Sequence, residues 1–493
     1  MHAQAGALYT ASQVRELDRR AINDLGVPGF ELMSRAGRGT LEALRALWPS
    51  ARSIAVLCGP GNNGGDGFVV ARLARAQGLR TTVVALGDPE RLGGDARRAY
   101  REFMAAGGHC EAWSPAALDA DLVVDALFGT GLARPADGEA AEMITAVNAS
   151  SRPVVAVDVP SGLDADTGAV LGAAVCADLT VTFIGRKIGC YVGQGLDHSG
   201  RILLDDLAVP REAYDGTIPV ARILGEEAVE QALPRRPRTA HKGAHGHVLV
   251  VGGGPGMPGA ARLAGEAALR AGAGLVTLAV HPDNRGVVAA RPELMCIAAG
   301  AARDLELALA RATIVALGPG LGQGAWSRSV YEAALASGRT LVVDADALNL
   351  LAAAPSRRSD WVLTPHPGEA ARLLGRSTAE VQAARIDAAR EIESRYGGVV
   401  VLKGAGTVTY PPGGPPWICD RGNPGMATGG MGDVLTGLVA GIAAQCGDLG
   451  LAARAAVFVH GQAGDLAARA GERGLIASDV LRQVRSCVNP ACE

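Results

Sequence analysis

Short apolar, β-rich runs alternate along this chain with longer stretches in which small apolar and charged residues recur at helical spacing. In the first half the β-rich runs fall at residues 54–58, 81–86, 122–125, 154–157 and 179–183. Between most of them lie Ala/Arg-rich stretches with helical periodicity, such as 68–77. Near the start, Thr10-Ala-Ser-Gln13 can cap a helix running through Val14, Leu17 and Ile22. Strand, glycine loop, helix, strand is the sequence form of a parallel α/β sheet. From residue 209 to 239 the pattern dissolves, ending in Pro234-Arg-Arg-Pro-Arg-Thr239, which reads as a linker or an exposed passage into a second domain. The second half restarts with strands at 247–251, 275–280, 314–317, 340–343, 361–364 and 399–402, a helix at 260–271 and a small-residue helix opening at Gly432. It is α/β again, and with no short-period repeat the chain reads as two different domains, residues 1–213 and 224–493.

A length of 493 residues is too great for one ordinary core. Composition is that of a globular protein, with 48% apolar and 20% charged residues. A net charge of −3 provides no basic field for nucleic acid, and no apolar run reaches the roughly 18 residues that span a bilayer. Without a basic-then-apolar leader at residues 1–11, a cytoplasmic protein with no membrane association is expected. The nine cysteines are scattered, without zinc-ligand spacing, and read as reduced and mostly buried. Of the 47 basic residues only three are lysine: Lys187, Lys242 and Lys403, each beside or near glycine. A compact ammonium is not replaceable by a planar guanidinium where a single charge must meet a substrate oxygen, so all three are site candidates.

In the first half three polar loops follow strands. They are Gly59-Pro-Gly-Asn-Asn-Gly-Gly-Asp-Gly67, Asp125-Ala-Leu-Phe-Gly-Thr-Gly-Leu-Ala-Arg-Pro135 and Asp158-Val-Pro-Ser-Gly-Leu-Asp164. The first could be a plain βα turn, yet two adjacent Asn and an Asp are more polar than closure requires. Ligands of open α/β sheets bind beyond the carboxyl ends of strands, so the three loops converge on one expected pocket. Asn63, Asp125 and Ser161 supply oxygens with no thiol or imidazole nearby, which suits a hard cation rather than zinc.

These three loops resemble the signatures of the NAD(P)H-hydrate epimerase family over roughly residues 8–210. The resemblance implies a Rossmann-like domain that binds hydrated nicotinamide cofactor. It implies K+ held near Asn63, Asp125 and Ser161. It also implies substrate contacts at Asn62, Asn63, Gly64, Gly65 and Asp66, at Gly129, Thr130, Gly131, Leu132, Ala133, Arg134 and Pro135, and at Asp158. Epimerisation at a hydroxyl-bearing carbon needs acid/base help. Asp158 is the expected catalytic residue, with Lys187 a second candidate.

In the second half Gly254-Pro-Gly-Met-Pro-Gly259, with Asp283 further on, formally matches a dinucleotide-binding GxGxxG pattern. Stronger strings need another explanation: Gly318-Pro-Gly-Leu-Gly322, Asp344-Ala-Asp-Ala-Leu-Asn349, Thr364-Pro-His-Pro-Gly-Glu369, Lys403-Gly-Ala-Gly-Thr407 and Gly429-Gly-Met-Gly-Asp433. Free N–H groups at the last turn can form an anion hole facing a transferred phosphoryl group, and the Asp after it is placed to take a hydroxyl proton. A small-molecule kinase would share these features.

Together these strings are similar to those of the ADP/ATP-dependent NAD(P)H-hydrate dehydratase family, which has the ribokinase-like fold. By motif, nucleotide contacts fall on Lys403, Gly404, Ala405, Gly406, Thr407 and Gly432, and substrate contacts on Ala261 (or its neighbour Ala260), Gly320, His366 and Asp433. Met431 stands where the family commonly has Thr. The resemblance implies two consecutive activities in one α/β chain: epimerisation of the R and S hydrates of NADH and NADPH (NADHX and NADPHX), then dehydration of the S form. ADP would be the phosphoryl donor, Mg2+ would accompany it, Asp433 would be the catalytic base, and AMP and phosphate would be released. A homo-oligomer is expected. A binding-only role for the first domain is the remaining alternative.

Overall fold

Strands that are apolar on both faces can be buried only in a sheet covered by helices on each side, and each half of the chain builds one. The structure, a computed structural model, describes residues 6–132, 134–288 and 291–489. It divides into two compact units, Met1–Ala221 and Arg222–Glu493.

In the N-terminal unit the strands of the six-stranded sheet are β1 Ser53–Cys58, β2 Arg80–Ala85, β3 Leu122–Ala126, β4 Val154–Val157, β5 Leu179–Phe183 and β6 Arg201–Asp205. They pair in parallel in the order β2-β1-β3-β4-β5-β6. Three helices matter for the site: α1 Ala11–Arg19, α2 Gly29–Leu47 and α3 Asn62–Ala76. At α1 the expected cap is present, with Gln13 N–H donating to Thr10 Oγ1 and Thr10 N–H to Gln13 Oε1, both at 3.1 Å. α2 lies so close to α3 that a Cβ on Gly37 would fall 2.5 Å from Val69 Cγ1.

In the C-terminal unit the strands are β7 Ala221–Ile223, β8 His247–Val251, β9 Leu275–Val280, β10 Met295–Ala298, β11 Ile314–Leu317, β12 Thr340–Val343, β13 Trp361–Leu363, β14 Val399–Leu402, β15 Thr407–Tyr410 and β16 Trp417–Cys419. Their order is β10-β9-β8-β11-β12-β13-β14-β15-β16-β7, parallel throughout except for the antiparallel pairs β14–β15 and β15–β16. Helices α4 Pro258–Arg270, α5 Met431–Cys446 and α6 Leu449–Ala467 cover one region of it. A Cβ at Gly437 would lie 2.0 Å from Ala264 O, so only glycine lets α5 sit against α4.

Residues 234–239, read as a linker or exposed passage, are exposed, but the patternless stretch before them holds ordered elements. Arg222 and Ile223 pair with Trp417 and Ile418, and the helix Glu227–Ala232 buries Ala228, Val229 and Ala232 in the core. A three-residue strand and a six-residue helix are too short to show a period, which is why the segment reads as unstructured. The eight described cysteines are all free, but only Cys58, Cys190 and Cys419 are buried and Cys176 is exposed. Among the described residues no helix is long and apolar enough to cross a membrane.

Candidate active sites

In the N-terminal unit the loops after β1, β3 and β4 do converge, on a cavity of about 670 Å³. Asn62, Asn63, Asp66, Gly129, Thr130, Gly131, Leu132, Arg134, Asp158 and Lys187 line it; Gly64, Gly65 and Pro135 do not. Gly64 and Gly65 are buried packing positions: a Cβ on the first would lie 1.9 Å from Gly59 O, and on the second 2.7 Å from Met33 Cε. Ala133 lies outside the described residues.

Asp158 is held in the left-handed region at φ 68°, which costs a non-glycine residue about 1 kcal/mol. Its Oδ1 accepts a short hydrogen bond from Lys187 Nζ and a longer one from Phe183 N–H at 3.2 Å. Lys187, 1% exposed, also donates to Phe183 O at 2.8 Å and Thr182 Oγ1 at 3.2 Å. A buried ammonium thus meets one carboxylate and two further oxygens, as burial of a charge requires. Behind the cavity Asp125 and Ser161 form a buried knot. Ser161 donates through Oγ to Asp125 Oδ1 at 2.6 Å and through N–H to Oδ2 at 2.8 Å, and Leu127 N–H donates at 3.2 Å. Burial pushes the Asp125 carboxyl up to about 6, against the lowering effect of these donors. Asn63 abuts the same loop, its Oδ1 3.1 Å from where a Gly129 Cβ would stand, and its buried Nδ2 has no partner.

In the C-terminal unit the site loops again sit at the carboxyl ends of parallel strands. Asp344, 1% exposed and following β12, is the hub. Its Oδ1 accepts from Lys403 Nζ at 2.5 Å and Thr364 Oγ1 at 2.8 Å, and its Oδ2 from Thr436 Oγ1 at 2.7 Å. Glu369, also buried, stands 3.8 Å from the same ammonium and accepts from His366 N–H at 2.7 Å. Desolvation pulls Lys403 down, but Asp344 and Glu369 outweigh it and hold the ammonium above its ordinary value. Arg385, buried, donates to the carbonyls of Leu402 at 3.1 Å and Lys403 at 3.0 Å, which fixes the 403–406 loop.

α5 is entered through Gly430, whose φ of 90° turns the chain into the helix. The first N–H groups of a helix have no partner within it, and here they open beside Lys403. A Cβ on Gly432 would lie 3.2 Å from Lys403 Nζ. Asp433 sits in that first turn. Burial first, then the neighbouring Asp344, push its carboxyl up to about 7, Lys403 working against them and Asp346 and Glu369 adding to them. A carboxylate poised near neutrality beside an ammonium and free N–H groups can accept a proton while an anion forms next to it.

Some expected residues are placed differently. Lys242 is exposed on a turn preceding β8, at the amino end of the strands, so it is not brought to these loops. Ala261 is fully buried, whereas the half-buried Ala260 lies against Gly320. The GxGxxG loop is zipped to the neighbouring loop, with Gly253 N–H donating to Pro319 O at 2.9 Å and Gly254 N–H to Gly320 O at 2.7 Å. Asp283 is exposed. His366 caps its helix, Nδ1 accepting from Gly368 N–H at 3.0 Å.

Comparison with known proteins finds a family match in each half of the chain. Residues 29–189 match the family model described as the YjeF-related protein N-terminus, and residues 248–485 match that of NAD(P)H-hydrate dehydratase. The bifunctional NAD(P)H-hydrate repair enzyme Nnr of Coxiella burnetii is 46% identical over 98% of this chain and 99% of its own length. This chain belongs to the bifunctional NAD(P)H-hydrate repair enzyme family. The Escherichia coli K12 protein of the same name is 43% identical over 98% of this chain and 94% of that protein. A ribokinase-like superfamily protein of known structure from Enterococcus faecalis covers 55% of this chain and 96% of its own, with 28% identity and a TM-score of 0.51. The repair-enzyme chain is thus α/β in both halves, Rossmann-like and then ribokinase-like. Motif reading gave no role to Asp344, Glu369, Thr436, Arg385 or His460, which the fold brings around Lys403. His460 is recognisable only in the fold: desolvation first, then Lys403, bring its imidazole down to about 4, and its buried Nε2 has no partner.

Proposed function

We propose that residues 1–213 interconvert the R and S hydrates of NADH and NADPH, and that residues 224–493 dehydrate the S form at the expense of ADP. The observation that carries this reading is Asp433, raised to about 7 in the first turn of α5 beside Lys403. Asp433 takes the proton of the substrate hydroxyl, whose oxygen attacks the β-phosphorus of ADP. The bond to AMP breaks, and the charge spreading over the transferred phosphoryl is met by Lys403 and the free N–H groups of α5. Donors of this kind are worth about 3–4 kcal/mol each in a preorganised site. Phosphate, a far better leaving group than hydroxide, then departs with the C–O electron pair, the adjacent ring carbon gives up a proton to solvent so that its C–H pair becomes the ring double bond, and the dihydropyridine is restored. Mg2+ enters with ADP as part of the substrate. The 403–407 loop and Gly432 take the nucleotide; Gly320, His366 and the 260–261 turn flank the hydrate.

In the N-terminal site Asp158 is the acid/base residue, held by Lys187. The donor set Asn63, Asp125 and Ser161 suits K+: all are hard oxygens, and Asp125 is a buried carboxylate with no basic hydrogen-bond partner. Bound there, K+ would supply charge compensation for Asp125 and order the 125–131 loop. Cytoplasmic location and homo-oligomeric assembly belong to the same reading.

Product analysis on the full chain tests it. AMP, free phosphate and recovered dihydropyridine absorbance in equal amounts are expected. A stable phosphorylated hydrate would instead make the C-terminal half a kinase.

A further inference from the structure

Two carboxyl groups facing the N-terminal cavity stand in opposite circumstances. Asp158 is anchored by Lys187 and by the backbone N–H of Phe183. Asp66, in the second turn of α3, lines the same cavity and makes no hydrogen bond or salt bridge among the described residues. Its position is fixed from below. Gly65 packs on Met33 and Ala96, and Gly67 on Ala126 and Cys58, so the helical turn carrying Asp66 cannot shift without clashes. A carboxyl that is rigidly placed, faces a ligand cavity and lacks any partner has no packing task that accounts for it.

Charged groups of both signs surround it. Asp18 comes from α1 and Asp95 from the helix Gly94–Ala105, while Asp158 and Lys187 lie beyond β4 and β5; Arg15 and Arg134 stand on the cavity wall. Burial, followed by Asp158 and Asp18, raises the Asp66 carboxyl well above its ordinary range, with Lys187 acting in opposition. Two carboxyl groups thus share one pocket, one anchored beside a cation and one without a partner.

We propose that Asp66 is the general acid of the N-terminal site, protonating the hydroxyl that leaves the substrate ring, while Asp158 receives a proton from the water that re-adds on the opposite face. This rests on the epimerase reading. Hydration of a cyclic enamine places the hydroxyl on the carbon bonded to the ring nitrogen, so the nitrogen lone pair can help expel it. The C–O bond breaks with its electron pair on oxygen, the Asp66 proton makes that oxygen water, and a ring iminium remains. Water adds to the other face, a new C–O bond forms, and its surplus proton passes to Asp158. One proton has moved from Asp66 to Asp158, and exchange with solvent returns it. The opposite epimer reacts by the same steps in reverse.

The test uses the full-length protein and one pure epimer without ADP, so that only interconversion is read. For D66N, kcat is expected to fall at least ~100-fold, with KM within ~3-fold of the parent. The parent's rate is expected to fall at high pH and that fall to be absent from D66N, D66E should recover part of the rate, and ADP-dependent dehydration of the S epimer should be unchanged. The parent should also place oxygen-18 from labelled water in the product hydroxyl. A D66N rate within ~3-fold of the parent overturns the assignment, as does a product that retains its original oxygen. A D66N protein that no longer binds substrate and is not rescued by D66E makes Asp66 structural and overturns it too. If the parent protein does not interconvert the epimers, the epimerase reading fails first and this inference falls with it.

Discussion

Replacing Asp433 by Asn should make the C-terminal unit more stable while abolishing its chemistry. The carboxyl titrates near 7 in the fold instead of 3.8 because it is buried beside Asp344, with Asp346 and Glu369 close by. Raising the carboxyl from 3.8 to about 7 corresponds to about 4 kcal/mol. Solvent access on one side of the half-buried side chain brings this to about 2 kcal/mol. Below pH ~4 the group is protonated in folded and unfolded chains alike, and it then costs nothing. As pH rises from there toward 7 the unfolded chain releases the proton first, so folding is progressively disfavoured, with the full cost present above 7. The Asn variant removes that cost. Its Tm, followed by calorimetry on the full chain, should match the parent near pH 4 and exceed it by about 5 °C at pH 8. Equal Tm values at both pH values, or a less stable variant at pH 8, would refute the argument that Asp433 is held as a strained, desolvated base.

Lys403→Met leaves Asp344 buried without its cation and should cost about 3–5 kcal/mol in urea unfolding at neutral pH. Adding Asp344→Leu should recover much of that stability but none of the dehydratase activity. Asp158→Ala strips the buried Lys187 of its carboxylate, and R/S interconversion should drop at least ~100-fold; undiminished interconversion in an assay on the full chain would remove Asp158 from catalysis. Interconversion by the parent should be faster in KCl than in NaCl at equal ionic strength, and Asp125→Asn should erase the difference; a K+ response that survives the substitution would place the ion elsewhere.

The parallel cores were legible because β11 and β14 are unbroken apolar runs, each followed by glycine within a residue or two, a signal of strand and turn together. Less legible were β6, β7, β15 and β16. They sit toward or at sheet edges or are three to five residues long, so side-chain pattern carries little about them. The sites divide in the same way. Asp158, Asp433 and Lys403 lie inside glycine-rich strings whose chemistry is local. Asp344 is quoted by its motif, but its place as hub depends on Thr364 and Thr436, 20 and 92 residues away. His460 and Arg385 reach the active-site loops from helices with no motif at all, and their approach is tertiary. Lys242 shows the converse error: scarcity of lysine marked it, yet it falls at the wrong end of the sheet.

The central claim is that Asp433 starts a phosphoryl transfer that ends in dehydration. A single-turnover reaction of Asp433→Ala with the S hydrate and ADP, with ADP affinity measured alongside, tests it most directly. Retained ADP binding with no AMP, no phosphate and no recovered dihydropyridine is the expected result. Turnover at the parent's rate with Ala at this position would contradict it.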